Sequence, residues 1–211
     1  MTRPVRHVHI RTQGAAMDIA QRAGREWTAD EFLVTDQHEF GDAWRYELVD
    51  GEVVAAAAPS PEHAAILSGL TIAIGVRLRG RSDGCRPESG SGAVPRSRQR
   101  NTARIPDAII RCGEHPRVLF EVVSPSEIRA WRARDRKRSD LQIVEGVEEI
   151  VELYEDEMAA HIYRRNTDDT WSFFVAGGAE ASLDLRSVGI SVPLGEIYEF
   201  ASLPERPGEG S

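Results

Sequence analysis

Residues 104–126 read R-I-P-D-A-I-I-R-C-G-E-H-P-R-V-L-F-E-V-V-S-P-S, and this stretch limits the fold more than any other. Two apolar runs, AII and VLFEVV, are split by a polar G-E-H-P turn, which predicts a hairpin of strands 106–112 and 117–123. Each run carries one acid where a buried strand favours an apolar residue: Asp107 and Glu121. Antiparallel pairing brings the start of the first strand beside the end of the second. A loop over 113–115 pairs residues whose numbers sum to 228, which sets Asp107 directly across from Glu121. A loop of even length would put them on opposite faces. Like charges placed so close force one acid to bind a proton unless a cation lies between them. A hard divalent ion, Mg²⁺ or Mn²⁺, suits two carboxylates. Pairing of each acid with a nearby arginine is the other reading.

The chain has 211 residues, of which 41% are hydrophobic and 28% charged, a balance that suits one soluble domain with a real core. No apolar run approaches the ~20 residues of a membrane span. The N-terminus lacks the continuous apolar stretch of a secretory signal. Cys85 and Cys112 form no C-x-x-C, so neither a zinc knuckle nor a disulfide framework is expected, and a reduced cytoplasm is the default location. The net charge is −8, but it is uneven: residues 77–138 hold 16 basic and 7 acidic side chains, while residues 139–211 hold 4 and 16. A basic middle between acidic flanks is the pattern of a local phosphate-contacting face, and equally of solvated arginine-rich loops. Arg96, Arg98, Arg100, Arg104, Arg132 and Arg134 are the candidate nucleic-acid contacts in it.

Local signals divide the rest. T-A-D-E at 28–31 is a capping box that opens a short helix. Asp50-Gly51 between WRYELV and EVVAAA is a type I′ hairpin turn. Ser60 caps a helix with Pro61 at its first position, and the helix runs to Gly80. Residues 81–104 read as a strand with long loops. VEEIVELYE and MAAHIYRR form a second hairpin, followed by strands WSFFVAG and ASLDL and a short helix around PLGEIYEF. The class is mixed α/β (α+β), a central mixed sheet flanked by helices with additional β-hairpins. Residues 1–25 read as a loosely packed extension, 26–201 as one domain and 202–211 as a tail.

Three further residues join the two acids. Glu47 in RYELVDGE is another acid among apolar strand residues, and His63 stands in the first turn of the long helix. Lys137 is the one lysine in the chain, against 25 arginines; a lysine kept in such a composition suggests a need for a compact charge with an adjustable pKa. S-P-S-E at 124–127 is a capping box, and a continuous helix from it would carry Lys137 ~18 Å along the axis. Lys137 therefore reaches Glu121 only if residues 126–132 are loop and the helix begins near Arg134–Asp135.

RYELVDGEVV, APSPEHAAI, RIPDAII, LFEVVSPSEIR, DRK and GVEEI occur here in that order. Together they resemble the Uma-two family of restriction endonucleases, within the PD-(D/E)xK nuclease superfamily, over residues 27–200. The resemblance implies a restriction-endonuclease-like fold and a divalent metal, Mg²⁺ or Mn²⁺, held by Asp107, Glu121 and the backbone carbonyl of Val122. The superfamily's usual lysine position is Val123 here, and the resemblance implies that Lys137 on the following helix takes its place. Ala133, Leu141 and Ile150-Val151 also depart from the family's pattern. The activity implied is that of an endonuclease acting on phosphodiester bonds, most naturally in DNA; Glu47 and His63, singled out above from the residues alone, join it as supporting site residues. Dimers on symmetric DNA are common in this fold, which makes a homodimer an expectation. The competing reading is a decayed nuclease fold that binds nucleic acid or protein without cutting.

Overall fold

The capping and turn signals form as the sequence predicts. In the computed structural model, which describes residues 25–89 and 101–204, the Thr28–Glu31 capping box opens α1 (Ala29–Val34). Asp50 and Gly51 both take positive φ, 50° and 88°, in the turn between β1 (Arg45–Val49) and β2 (Glu52–Ala56). The hydroxyl of Ser60 accepts the His63 N–H at the head of α2 (Pro61–Leu78), and Gly80 follows the helix end with φ 77°. Residues 1–24, 90–100 and 205–211 lie outside the described residues, and with them most of the expected N-terminal extension and tail, and Arg96, Arg98 and Arg100.

Six strands make the main sheet: β3 (Cys85–Ser89), β4 (Ala108–Cys112), β5 (His115–Val123), β6 (Glu149–Tyr154), β7 (Ala159–Arg165) and β8 (Trp171–Gly177), in that spatial order. All neighbours are antiparallel except β5 and β6. That parallel pair is joined by a crossover through α3 (Pro125–Arg129) and α4 (Trp131–Gln142), as parallel neighbours require. One sheet face packs on α2, on the hairpin β9 (Ser182–Leu185)–β10 (Ile190–Pro193) and on α5 (Leu194–Ile197), around Ile74, Phe120, Leu153 and Leu183. The other face buries Ile109, Leu119 and Ile150 against Leu141 of α4 and Val144. A third cluster, built on Trp27, Phe32 and Leu48, holds the β1–β2 hairpin to the segment before β4, where Leu48 and Ala103 exchange backbone hydrogen bonds.

The β4–β5 hairpin corrects one expectation and keeps its consequence. The turn is two residues long, since Cys112 pairs with His115 and Arg111 with Pro116. A bulge then intervenes: Ile110 pairs with Val118, leaving Arg117 unpaired, and Ala108 faces Phe120. The extra residue restores the parity that the even turn would have broken. Asp107 donates its N–H to the Phe120 carbonyl, and the next step of that register sets it across from Glu121.

A second correction concerns the cysteines. Cys85 and Cys112 stand opposite each other in the β3–β4 register and are joined by a disulfide, with Cα atoms 4.0 Å apart. Sequence spacing hid the pair because the sheet brings together residues separated by 27 positions.

Candidate active site

The sheet lines up acids on its α4 face. Asp107 leads to Glu121, Glu121 pairs in parallel register with Glu152, and Glu152 pairs with His161. Glu47 approaches from β1, fixed because Leu48 is bonded to Ala103 and the Ile105 N–H donates to Glu47 Oε1 at 3.1 Å. His63 enters from the first turn of α2. All of these but His161 line one cavity of about 510 Å³.

Lys137 also lines this cavity, by a route that the sequence did not suggest. Residues 125–129 are helical, so the expectation of a loop over 126–132 is wrong. The helix instead breaks at Ala130, where φ −87° and ψ 38° leave the helical region, and α4 begins at Trp131. The break shortens the reach that a straight helix would impose. Lys137 Nζ lies 2.7 Å from Glu121 Oε2 and 3.1 Å from Glu47 Oε1.

Each carboxylate has a distinct setting. Asp107 Oδ2 accepts the Val122 N–H at 2.8 Å, and Oδ1 accepts from Arg45 Nη1 at 3.0 Å, with His63 Nε2 at 3.4 Å. Burial raises its pKa, but His63, Arg45 and Lys137 outweigh burial and hold it well below the usual carboxylate range. Glu121 goes the other way: burial, with Asp107 and Glu47 nearby, pushes it up to about 8 against the pull of Lys137. Lys137 is raised despite burial, because Glu121, Glu47 and Asp107 surround its ammonium. The carboxylates around it thus favour the charged form of this one lysine. His63 is raised too: burial lowers it, and Asp107 and Glu155, whose Oε1 is 3.4 Å from Nδ1, more than compensate.

Among the expected nucleic-acid contacts, Arg104 turns inward. Its Nε and Nη2 donate to Asp140 Oδ2 at 3.0 and 2.9 Å, and its Nη1 donates to Glu47 Oε2 at 2.9 Å. With all three nitrogens on carboxylates it positions Glu47 rather than presenting itself to a phosphate, which corrects that assignment. Arg132 is exposed. Arg134 lines the cavity, with Nε and Nη1 buried and without a hydrogen-bond partner.

Sequence reasoning missed Arg45, Glu152 and Glu155. Arg45 is two residues before Glu47 on one strand, and period-two alternation sends both to the same face. Glu152 is an acid inside an apolar run, the signal that singled out Glu121; it is 2% exposed and accepts from Arg138 Nη1 at 2.9 Å.

A six-stranded mixed sheet flanked by helices thus carries these acids and the lysine into one cavity. Residues 29–194 match the model of the Uma2 family, described as "Putative restriction endonuclease", and the chain belongs to that family. The fold is shared with a solved structure, a "putative nuclease belonging to DUF820" from Anabaena variabilis, with a TM-score of 0.59 at 15% identity. That match covers 82% of this chain and 98% of the other. No curated protein matches the sequence.

Proposed function

We propose that the protein is a metal-dependent endonuclease that hydrolyses phosphodiester bonds in DNA. The observation that carries this reading is the convergence of Asp107, just before β4, Glu121 of β5 and Lys137 of α4 in one cavity. Family membership supports a nuclease acting on nucleic acid.

The residues fit a hard cation. Asp107 and Glu121 offer oxygen donors of the right type, and Glu121 Oε1 is buried with no hydrogen-bond partner. Among the described residues no group of three or more His, Cys, Asp and Glu side chains forms a ready ligand set, so the protein's share would be these two carboxylates and the Val122 carbonyl. The chemistry such an ion supplies is polarisation of the scissile phosphate and a lowered pKa for bound water. Lys137, being charged, stabilises negative charge developing on the phosphoryl oxygens. Glu47 aims Lys137, and Arg45 and His63 keep Asp107 ionised. Arg132 and Arg134, with Arg96, Arg98 and Arg100, track flanking phosphates, which gives salt-dependent affinity with little base reading.

Nicking of supercoiled plasmid tests the proposal, in Mg²⁺, Mn²⁺ and EDTA, beside Asp107→Asn prepared identically. The expected result is metal-dependent nicking by the wild type that Asp107→Asn loses. Equal cutting in every lane, or none, would favour a nuclease fold that binds without cutting.

A further inference from the structure

The cavity also holds a ring that the chemistry above does not use. Trp44 lines the cavity and is 69% exposed, although an indole in water forgoes a large burial gain. It directly precedes Arg45, which grips Asp107. Arg45 Nε and the Nε and Nη1 of Arg134 are buried in the same cavity with no hydrogen-bond partner. Arg134 Nε is 3.8 Å from Glu152 Oε2, too far for a hydrogen bond. Buried donors left without acceptors are costly and are satisfied by an anionic ligand.

A flat apolar ring beside unsatisfied guanidinium donors and a phosphodiester-directed site fits one ligand chemistry: a nucleotide with its base turned out. A base held in a duplex stack cannot lay its face on a side chain, whereas an unpaired base can. The cavity, at about 510 Å³, falls in the size range of small-molecule sites.

Resting on the nuclease reading, we propose that Trp44 is a stacking platform for an unpaired base, and that the preferred substrate is single-stranded or locally unpaired DNA. The arginine donors take the adjoining phosphates, so stacking and charge act on the same nucleotide.

Binding in EDTA tests this without any need for cleavage. Fluorescence anisotropy would compare labelled oligo-dT, the same oligomer annealed to oligo-dA, and oligo-U. The proposal expects oligo-dT to bind most tightly and Trp44→Ala to weaken it roughly 5- to 150-fold, the range for loss of one stacked base. Trp44→Phe should recover most of the loss. Phe200→Ala removes a ring that is 53% exposed outside the cavity lining, and should change nothing. Equal affinity for duplex, preference for oligo-U, or unchanged binding by Trp44→Ala would each overturn the proposal. So would sedimentation showing that Trp44→Ala splits a wild-type dimer, since the ring would then cover a second copy. A protein that binds oligo-dT through Trp44 yet never nicks plasmid would lose the nuclease reading and keep this one.

Discussion

Lys137 Nζ and Glu121 Oε2 lie 2.7 Å apart across 16 positions of sequence, and a single break in the intervening helix at Ala130 makes the contact. The same ammonium is 3.1 Å from Glu47. One cation thus ties β1, β5 and α4 together at the site.

Lys137→Met should lower the rate of phosphodiester cleavage by about 10²–10³-fold, the usual effect of removing a group that stabilises transition-state charge. Arginine should not rescue it, because a planar guanidinium does not reproduce a compact ammonium between two carboxylates. Single-turnover nicking rates at saturating protein would check this.

Arg104→Met should destabilise the fold by about 3–5 kcal/mol, because Glu47 and Asp140 would be left buried without their shared partner. Adding Asp140→Leu should recover part of that loss. Urea unfolding of the single and double variants measures both, and additive losses would refute the coupling.

Reduction of the Cys85–Cys112 disulfide should lower unfolding free energy by about 3–4 kcal/mol, from the chain entropy of the 27-residue separation it closes. Cys85→Ser/Cys112→Ser should unfold at the same urea concentration as the reduced wild type. Identical midpoints with and without reductant would show that the bond adds nothing.

Acidification should weaken the fold through His161. Its ring is edge-on to Phe173 and its Nδ1 is 2.6 Å from the Tyr154 hydroxyl. Burial, together with Arg134 and Arg138, lowers its folded pKa below 6.5 despite Glu152 and Glu157. The unfolded chain therefore takes up a proton that the folded chain resists, so stability is lost as pH falls through 6.5. Thermal unfolding between neutral and mildly acid pH should show a steeper loss for the wild type than for His161→Gln.

Much of the fold was legible because local chemistry specifies it. The caps at Thr28, Ser60 and Ser124 and the Asp50-Gly51 turn each formed where their residues predict them. The juxtaposition of Asp107 with Glu121 was also legible, although by a bulge rather than the expected loop. The helix break was not, since neither glycine nor proline marks Ala130. Glu152 was hidden for another reason. Its neighbour depends on parallel pairing across a helical crossover, where no short turn sets the register. Arg104 looked like a phosphate contact because composition reports charge and not direction; burial between Glu47 and Asp140 turned it inward.

The bulge also bears on how such a gene can vary. Point substitutions from Glu114 to Arg117 keep the residue count that sets the two acids across from each other, whereas changes in length alter it. Gain or loss of one residue in the paired stretch 118–120 would carry Asp107 and Glu121 to opposite faces of the sheet. Arg117 is the exception: its deletion removes the bulge and leaves Ile110 opposite Val118. Lineages that preserve the site should therefore keep the spacing from Val118 to Glu121 fixed and confine their insertions and deletions to the turn side, in steps that a bulge can absorb.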